Sequence, residues 1–452
     1  MTPNALRFAV RIDQNPNIAV GSRTVDAIVQ VKAEDPEAGA YKPVAAEVIV
    51  IDTSASMTNG QKIDKACQAA AMAVEVLDDG TYFAVVSGQS HATPVYPPRG
   101  MAVASPDTRR AAARALAQVT ARGGTSMSTW LRLTGALLAD CHEARIKHAL
   151  LLTDGQNIEG DTPLRDALRD CEGAFVCDCR GVGDDWSYEQ LREISRTLLG
   201  SWKPVAAAEE LADDFRTVMR TTMSKRAAGV TLQVRTRGRV SYLGRVMPDI
   251  EDLTGKGVRH GEMWEFPLGD WGAQTADYLL RIDIGLEDLR IKTEQRARAA
   301  RVEVVVPGQT DPVKAGTVAV SWTPDVTLSS VINPRVAGYS GQEKLSRAVD
   351  EGLSAWKNGR ADAEEKLGLV VRLAHELGRE DLLERLSAIV VIENRITGRI
   401  WLRPRDQVSF GDMNWSSHLA GQSLYVEPAE PNEAEGAKRP QESEESEESY
   451  GA

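Results

Sequence analysis

The stretch that decides the fold reads A-A-E-V-I-V-I-D at residues 45–52 and continues as T-S-A-S at 53–56. A nearly continuous apolar run is typical of a parallel strand that is buried on both faces. The run ends in the acid Asp52, and the hydroxyl residues Ser54 and Ser56 follow at alternate positions. Ligands of open α/β sheets gather at the carboxyl ends of the strands. The stretch therefore predicts a central strand and a binding site at its end.

Strands and helices alternate from residue 45 to about residue 225. A helical stripe follows the first strand in Q-K-I-D-K-A-C-Q-A-A-A-M-A-V-E-V-L-D-D, and further apolar runs read T-Y-F-A-V-V-S-G, K-H-A-L-L-L-T-D-G and G-A-F-V-C-D-C-R-G-V-G. This order predicts an α/β fold with a doubly wound, mostly parallel sheet and helices on both faces.

The flanking segments have other periodicities. Residues 1–44 and 226–335 alternate apolar and polar positions between turn residues, which predicts antiparallel strands. Because they bracket the α/β domain, we expect it to be inserted in a single β-sandwich. Residues 340–398 return to helical spacing and predict a small helical domain. Residues 399–426 are expected to form an extended arm, and the acidic tail at 427–452 is expected to be disordered.

The composition and charge exclude several classes of function. The apolar content of 42% and charged content of 26% are those of an ordinary globular protein. The net charge is −12; nine Glu against Lys438 and Arg439 place −7 of it after residue 426 and leave −5 for the rest. An acidic body argues against nucleic-acid binding. We see no secretory signal and no apolar run long enough for a membrane span. The five cysteines are expected to be buried, reduced thiols, and the expected location is cytoplasmic.

Three predicted loops carry oxygen donors that suit a metal ion. The donors are two carboxylates and three hydroxyls: Asp52, Ser54, Ser56, Thr125 in G-G-T-S, and Asp154 in L-L-T-D-G. Hard oxygen donors without Cys or neutral His favour Mg²⁺, with Mn²⁺ or Ca²⁺ as alternatives, over zinc. Two carboxylates neutralise a divalent ion without excess, so a third anionic group from outside can still bind.

In these motifs the α/β region, about residues 45–223, resembles a von Willebrand factor type A (VWA) domain of the bacterial type. D-T-S-A-S, Thr125 and Asp154 match all five positions of that family's metal-ion-dependent adhesion site (MIDAS), in order. The resemblance implies direct ligation by Ser54 and Ser56, and Asp52 orienting the site directly or through water. It also implies a direct bond from Thr125 in the ligand-bound form, and a contact of Asp154 mostly through water.

The resemblance further implies a function without catalysis. The open metal position would bind an Asp or Glu of a partner protein, which makes the chain a metal-dependent adaptor. The alternative is a VWA subunit that works with an AAA+ ATPase in remodelling or metal insertion. This chain has no Walker A motif of its own, since G-K-G at 255–257 lacks the rest of a P-loop.

Simpler interpretations stay open at this stage. Asp52 and the serines are also the residue types that cap helices, and Asp154 before Gly155 also suits a turn. The stretch G-Q-S-H-A at 88–92 resembles a nucleophile elbow but lacks its last glycine, and the six His have no zinc-enzyme spacing. Cys177 and Cys179 lack a second C-x-C that would complete four metal ligands.

Overall fold

The computed structural model describes residues 6–36, 42–309 and 312–423. The strands within these ranges are β1 (Arg7–Gln14), β2 (Asn17–Ala19), β3 (Thr24–Glu34), β4 (Ala45–Asp52), β5 (Tyr82–Gly88), β6 (Thr93–Tyr96), β7 (Ala102–Val103), β8 (Ile146–Thr153), β9 (Val176–Val182), β10 (Trp202–Val205), β11 (Ala227–Thr236), β12 (Arg239–Met247), β13 (Glu251–Asp252), β14 (Val258–His260), β15 (Met263–Trp271), β16 (Gln274–Asp283), β17 (Ala297–Val305), β18 (Val313–Thr323), β19 (Val390–Asn394) and β20 (Arg399–Leu402). The α-helices are α1 (Lys62–Glu75), α2 (Pro106–Leu116), α3 (Met127–Asp140), α4 (Asp161–Cys171), α5 (Tyr188–Thr197), α6 (Leu211–Met223), α7 (Leu286–Leu289), α8 (Val326–Ser329), α9 (Pro334–Lys357), α10 (Ala363–Glu376), α11 (Glu380–Leu386) and α12 (Phe410–Gly421).

A mostly parallel sheet forms the centre of the α/β domain. Its order is β10-β9-β8-β4-β5-β6, with β7 also beside β5, and only β6 and β7 run antiparallel to their neighbour. In β4, Val48 and Val50 pack in the same core as α3, α4 and α5. Ile49 and Ile51 pack on the opposite face with α1, α2 and α6. The continuous apolar run of β4 is thus explained by helices on both faces, and the predicted α/β fold is confirmed.

The register between β4 and β8 positions the candidate site. The two strands are parallel neighbours, and Ile51 pairs with Leu152 at their carboxyl ends. The next residues, Asp52 and Thr153, therefore reach the same edge of the sheet. The four residues before this edge on each strand, 48–51 on β4 and 149–152 on β8, are buried aliphatic residues, so a close-packed core holds the edge in place.

Two mostly antiparallel sheets, with a parallel pairing between β2 and β18, flank the α/β domain in sequence. Their strand orders are β1-β3-β16-β12-β13 and β14-β15-β11-β17-β18-β2. Strand β3 pairs along its length with β16, from Thr24 opposite Asp283 to Ala33 opposite Gln274. The two sheets share one apolar core between them. Strands from both sides of the α/β domain thus contribute to the same pair of sheets.

The C-terminal part of the described chain differs from the expected organisation. Apolar residues of α9, α10, α11 and α12 belong to the same continuous core as α3, α4 and α5. The extended arm expected over residues 399–426 is wrong for the described residues, because they contain strand β20 and helix α12. The sequence hides α12 because Asn414, Ser416 and Ser417 are buried beside Met413 and Ala420, which masks the apolar stripe. The predicted acidic tail at 427–452 lies outside the described residues.

The cysteines are as expected, all five being free and buried. The sulfur atoms of Cys177 and Cys179 lie 4.0 Å apart without a bridge. None of the helices in the described residues combines the length and the apolarity that a bilayer crossing requires.

Candidate metal site at the carboxyl edge of the parallel sheet

The Asp52 side chain is buried at the carboxyl edge of the sheet and bonds to residues of two neighbouring segments. Its side chain is fully buried, Oδ1 accepts a bond from the Ser54 backbone N–H at 2.8 Å, and Oδ2 accepts one from Thr153 Oγ1 at 2.6 Å. Burial raises the pKa of Asp52 to about 6, although the bonds from Ser54 and Thr153 oppose this rise. Asp52 thus connects the loop after β4 with the end of β8.

The two serines continue this connection. Ser54 Oγ lies 3.0 Å from Ser56 Oγ, and Ser56 Oγ donates to Asp154 Oδ1 at 2.7 Å. Ser54 is the N-cap residue of the short 3-10 helix Ala55–Gln61, but its hydroxyl makes no capping bond. The hydroxyls therefore face the edge of the sheet, and capping does not account for them.

Asp154 is fully buried and has a partner for each oxygen. Ser56 binds Oδ1, and Lys62 Nζ lies 2.9 Å from Oδ2 as an ion pair. The bond that closes the local turn comes from elsewhere, because the Gly155 N–H donates to Thr153 Oγ1 at 3.1 Å. Turn formation alone therefore does not explain the acid at this position.

Thr125 reaches the same place from a third loop. A Cβ built on Gly155 would lie 3.5 Å from Thr125 Oγ1 and 3.7 Å from Ser56 Oγ. The two hydroxyls thus face one small space that the missing side chain of Gly155 leaves open. The backbone of Gly155 does not adopt a positive φ, so its conformation does not require a glycine.

Backbone hydrogen bonds hold the three loops together. Arg122 N donates to Thr53 O at 2.7 Å, and Ala55 N donates to Gly123 O at 3.0 Å. Ile158 N donates to the Thr125 carbonyl at 3.0 Å. The loop that carries Thr125 is therefore tied both to the serine loop and to the loop after β8.

The donor set fits a hard divalent cation. The five expected residues bring together two carboxylates and three hydroxyls, all oxygen donors. Among the described residues no group of three or more His, Cys, Asp or Glu is placed to hold a metal. A site here would therefore depend on hydroxyl donors and would keep few direct carboxylate contacts.

Three residues of this cluster were not predicted from the sequence. Thr153 and Gly155 flank Asp154 in L-L-T-D-G, and the motif itself assigns a donor role to the acid alone. Lys62 opens helix α1, and nothing in its local pattern indicates that it reaches a carboxylate 92 positions away. For Gly155 the sequence signal is that of a turn, since an Asp-Gly pair after a strand usually marks one.

The fold and its sequence have known relatives. The family model described as von Willebrand factor type A domain matches residues 46–203. A solved structure, von Willebrand factor type A from Catenulispora acidiphila, is 32% identical, with a TM-score of 0.84, over 94% of this chain and 99% of that chain. On this likeness, the chain belongs to the von Willebrand factor type A family.

Two more distant relatives place the fold in a wider context. The ArnB paralog VWA2 from Sulfolobus acidocaldarius has a TM-score of 0.51 at 13% identity, over 92% of this chain and 98% of that chain, which is a likeness of fold alone. The uncharacterized protein sll0103 of Synechocystis is 26% identical over 231 residues. That alignment covers 49% of this chain and 53% of the relative, so the chain matches about half of that protein's length.

Proposed function

We propose that this chain is a metal-dependent protein-interaction module. A divalent cation, Mg²⁺ in the first place, would be held by Ser54, Ser56 and Thr125, with Asp52 and Asp154 behind them. When bound, the cation would supply a Lewis-acidic position for an Asp or Glu carboxylate of a partner protein. The family to which the chain belongs often mediates protein–protein interactions.

The observation that carries this proposal is the open space beside Gly155. Hydroxyls from two loops, Ser56 and Thr125, face the point where a Cβ of this residue would lie, at 3.7 and 3.5 Å. The buried carboxylates of Asp52 and Asp154 stand next to these hydroxyls and supply negative charge. Such an arrangement suits a cation with a vacant side more than it suits packing.

A hydrolase is less well supported. Ser201, Asp178 and the buried His148 form a chain that resembles a catalytic triad at first sight. However, Ser201 Oγ donates to Asp178 Oδ1 at 2.7 Å, and His148 binds the other oxygen of the same carboxylate at 3.1 Å. The serine is therefore not activated by the histidine, and we propose a function without catalysis.

Titration calorimetry with Mg²⁺ and Mn²⁺ tests the metal site. We expect one site per chain, and Asp52→Ala or Thr125→Ala should weaken it at least tenfold. Gly155→Val should do the same with little loss of stability, because its side chain would fill the space beside Ser56. Thr58→Ala is the matched control, since its hydroxyl bonds to the Ala55 carbonyl in the same loop. Equal binding by all of these variants would refute the metal site.

Partner capture tests the second half of the proposal. Immobilised protein should retain its partner in Mg²⁺ and release it in EDTA, and Ser54→Ala should abolish retention. A retained partner with an ATPase motif would favour the alternative role beside an AAA+ machine. Retention that persists in EDTA would refute the adhesion role even if the metal binds.

A further inference from the structure

Lys62 brings a fixed positive charge into the candidate metal site. Its ammonium lies 2.9 Å from Asp154 Oδ2. The Asp154 side chain is fully buried, and only 19% of the Lys62 side chain is exposed. An ion pair at this depth is screened far less by solvent than a surface pair. The charge of Lys62 therefore counts in the electrostatics of the site.

Local structure does not favour a lysine at this position. Lys62 is the first residue of α1, where the helix dipole favours anions over cations. The two residues before it, Gly60 (φ 61°) and Gln61 (φ 60°), both adopt the left-handed region, which is unfavourable for Gln61. The helix start is thus strained, and it places Lys62 against Asp154. Strain of this kind tends to persist where function requires it.

The neighbouring strand end leaves room for the lysine. A Cβ built on Gly183, just after β9, would lie 3.3 Å from Lys62 Nζ. Gly183 has a φ of 72°, so it also needs the freedom of glycine. Two loops of the sheet edge therefore accommodate this ammonium.

The net charge of the site follows from Asp52, Asp154, Lys62 and the cation. Asp52 and Asp154 contribute two negative charges when ionised, and Lys62 reduces the total to one. A divalent cation would leave the site with one net positive charge, whereas without Lys62 the loaded site would be neutral. Only the charged site attracts a partner's carboxylate beyond the direct bond to the metal.

We propose that Lys62 couples the two binding events: its charge weakens binding of the divalent cation and strengthens the later binding of the partner's carboxylate. The inference rests on the proposed function, because it concerns the same metal site. Lys62 is a positioning residue, since it acts through Asp154 and the net charge. The presence of Lys62 thus lowers the affinity for the metal and raises the affinity for the acidic partner.

The test replaces the charge and measures both affinities. Lys62→Gln keeps an N–H donor for Asp154 but removes the charge, and Lys62→Met removes both. Calorimetry with Mn²⁺ alone should show at least tenfold tighter binding by Lys62→Gln. Acetate serves as the carboxylate probe, and its binding is measured from the relaxation of its methyl protons by the bound Mn²⁺. The affinity for acetate of Mn²⁺-loaded Lys62→Gln should be at least threefold weaker than that of the loaded wild type.

Two controls separate this coupling from general effects. Lys65→Met makes the same change of net charge on the same helix, where the ammonium is 4.0 Å from Glu209, and both affinities should stay as in the wild type. Lys62→Arg keeps the charge and should keep both affinities near the wild type. Circular dichroism shows whether each variant is folded. If Lys62→Met is unfolded, the test rests on Lys62→Gln alone.

Tighter Mn²⁺ binding together with weaker acetate binding in Lys62→Gln supports the coupling. Any other result, including unchanged affinities, a change in only one of them or changes in the reverse directions, overturns it and leaves the proposed function intact. A wild-type protein that binds no Mn²⁺ overturns both.

Discussion

His148 is a buried charge at the centre of the parallel sheet. Its Nδ1 lies 2.8 Å from a Glu47 oxygen and its Nε2 lies 3.1 Å from Asp178 Oδ2. Burial alone would lower the pKa of His148, but the two carboxylates outweigh it and raise the pKa to about 10. The three residues come from β4, β8 and β9, so one imidazolium connects three adjacent strands.

This arrangement predicts a loss of stability at alkaline pH. The folded protein keeps the His148 proton up to about pH 10, whereas the unfolded chain releases it near 6.5. Since the folded state binds more protons in this window, stability is fully present below pH 6.5 and falls as the pH rises toward 10. Urea denaturation between pH 6 and 9.5 measures the slope.

The comparison variant for this slope is His148→Gln. It should flatten the pH dependence and cost about 3 kcal/mol near neutral pH, because the buried Glu47 and the partly buried Asp178 lose their cation. The exposed His142 supplies the control, and His142→Gln should keep the wild-type slope. A His148→Gln variant with an unchanged slope would contradict the assignment of the proton.

At the scale of residues, the sequence predicted which side chains gather but only part of how they interact. The motif positions Asp52, Ser54, Ser56 and Asp154 form one hydrogen-bonded chain, and Thr125 stands across Gly155. Lys62 and His148 could not be predicted, because each partner lies far along the chain. Long-range pairs of this kind depend on strand order, which local spacing does not encode.

Helix α9 is fastened to the sandwich by a buried carboxylate. Asp277 on β16 accepts bonds from Arg335 at 2.7 Å and from Tyr339 at 2.5 Å, and Gln30 binds its other oxygen at 3.1 Å. Asp277 is fully buried, and Arg335 also pairs with Asp13 at 2.6 Å. The first turns of a helix are thus held by two strands of one sheet.

We expect Asp277→Asn to destabilise the protein by about 3 kcal/mol, because Arg335 loses a buried partner. Chemical denaturation measures the free energy of unfolding. The matched change on a surface pair is Glu376→Gln, whose carboxylate lies 3.9 Å from Arg372, and it should cost less than about 1 kcal/mol. Equal costs for the two variants would show that Asp277 does not fasten α9.

At the scale of elements, segments with a strong apolar periodicity were predicted correctly, and the helix α12, whose periodicity is weak, was not. The apolar runs at β4 and β8 and the stripe of α1 are where the sequence predicted them. Helix α12 was missed because it buries Asn414, whose side chain bonds to Tyr188 N and Trp186 O. A helix that is buried through polar contacts has no apolar stripe to detect.

At the scale of the whole molecule, the candidate metal site and the sandwich lie at opposite ends of the parallel strands. His148 and Asp178, toward the amino ends of their strands, line a cavity of about 300 Å³ together with Asp270 and Tyr278 of the sandwich. The metal-site residues follow the carboxyl ends of the same sheet. The sandwich therefore contacts one edge of the sheet, and the opposite edge carries the candidate site.

Hydrogen exchange tests this separation. Mg²⁺ should slow exchange in the loops at 53–58, 122–126 and 153–158, because a bound cation would hold them together. Exchange in β15 and β16 of the sandwich should not change. The Gly155→Val protein is the control and should show no protection from Mg²⁺. Protection that spreads into the sandwich would contradict the separation of the two edges.

At this largest scale the sequence indicated the order of the segments but not their packing. Period-2 patterns on both sides of the α/β domain predicted antiparallel strands, and β3 from one side pairs with β16 from the other. The shared core of α9–α12 with α3–α5 was not expected, since helical spacing shows which face is apolar but not what covers it.

The pairing of β3 with β16 also affects how the protein is made. A ribosome releases β3 first, and about 240 residues must follow before its partner emerges. At translation rates of about 5–20 residues per second, β3 waits on the order of ten seconds or more with only β1 available to pair with it. Val25, Ile28 and Val31, all later buried, stay exposed to wrong pairing meanwhile. Synthesis of this chain should therefore depend on chaperones that shield its first strands until the sandwich can close.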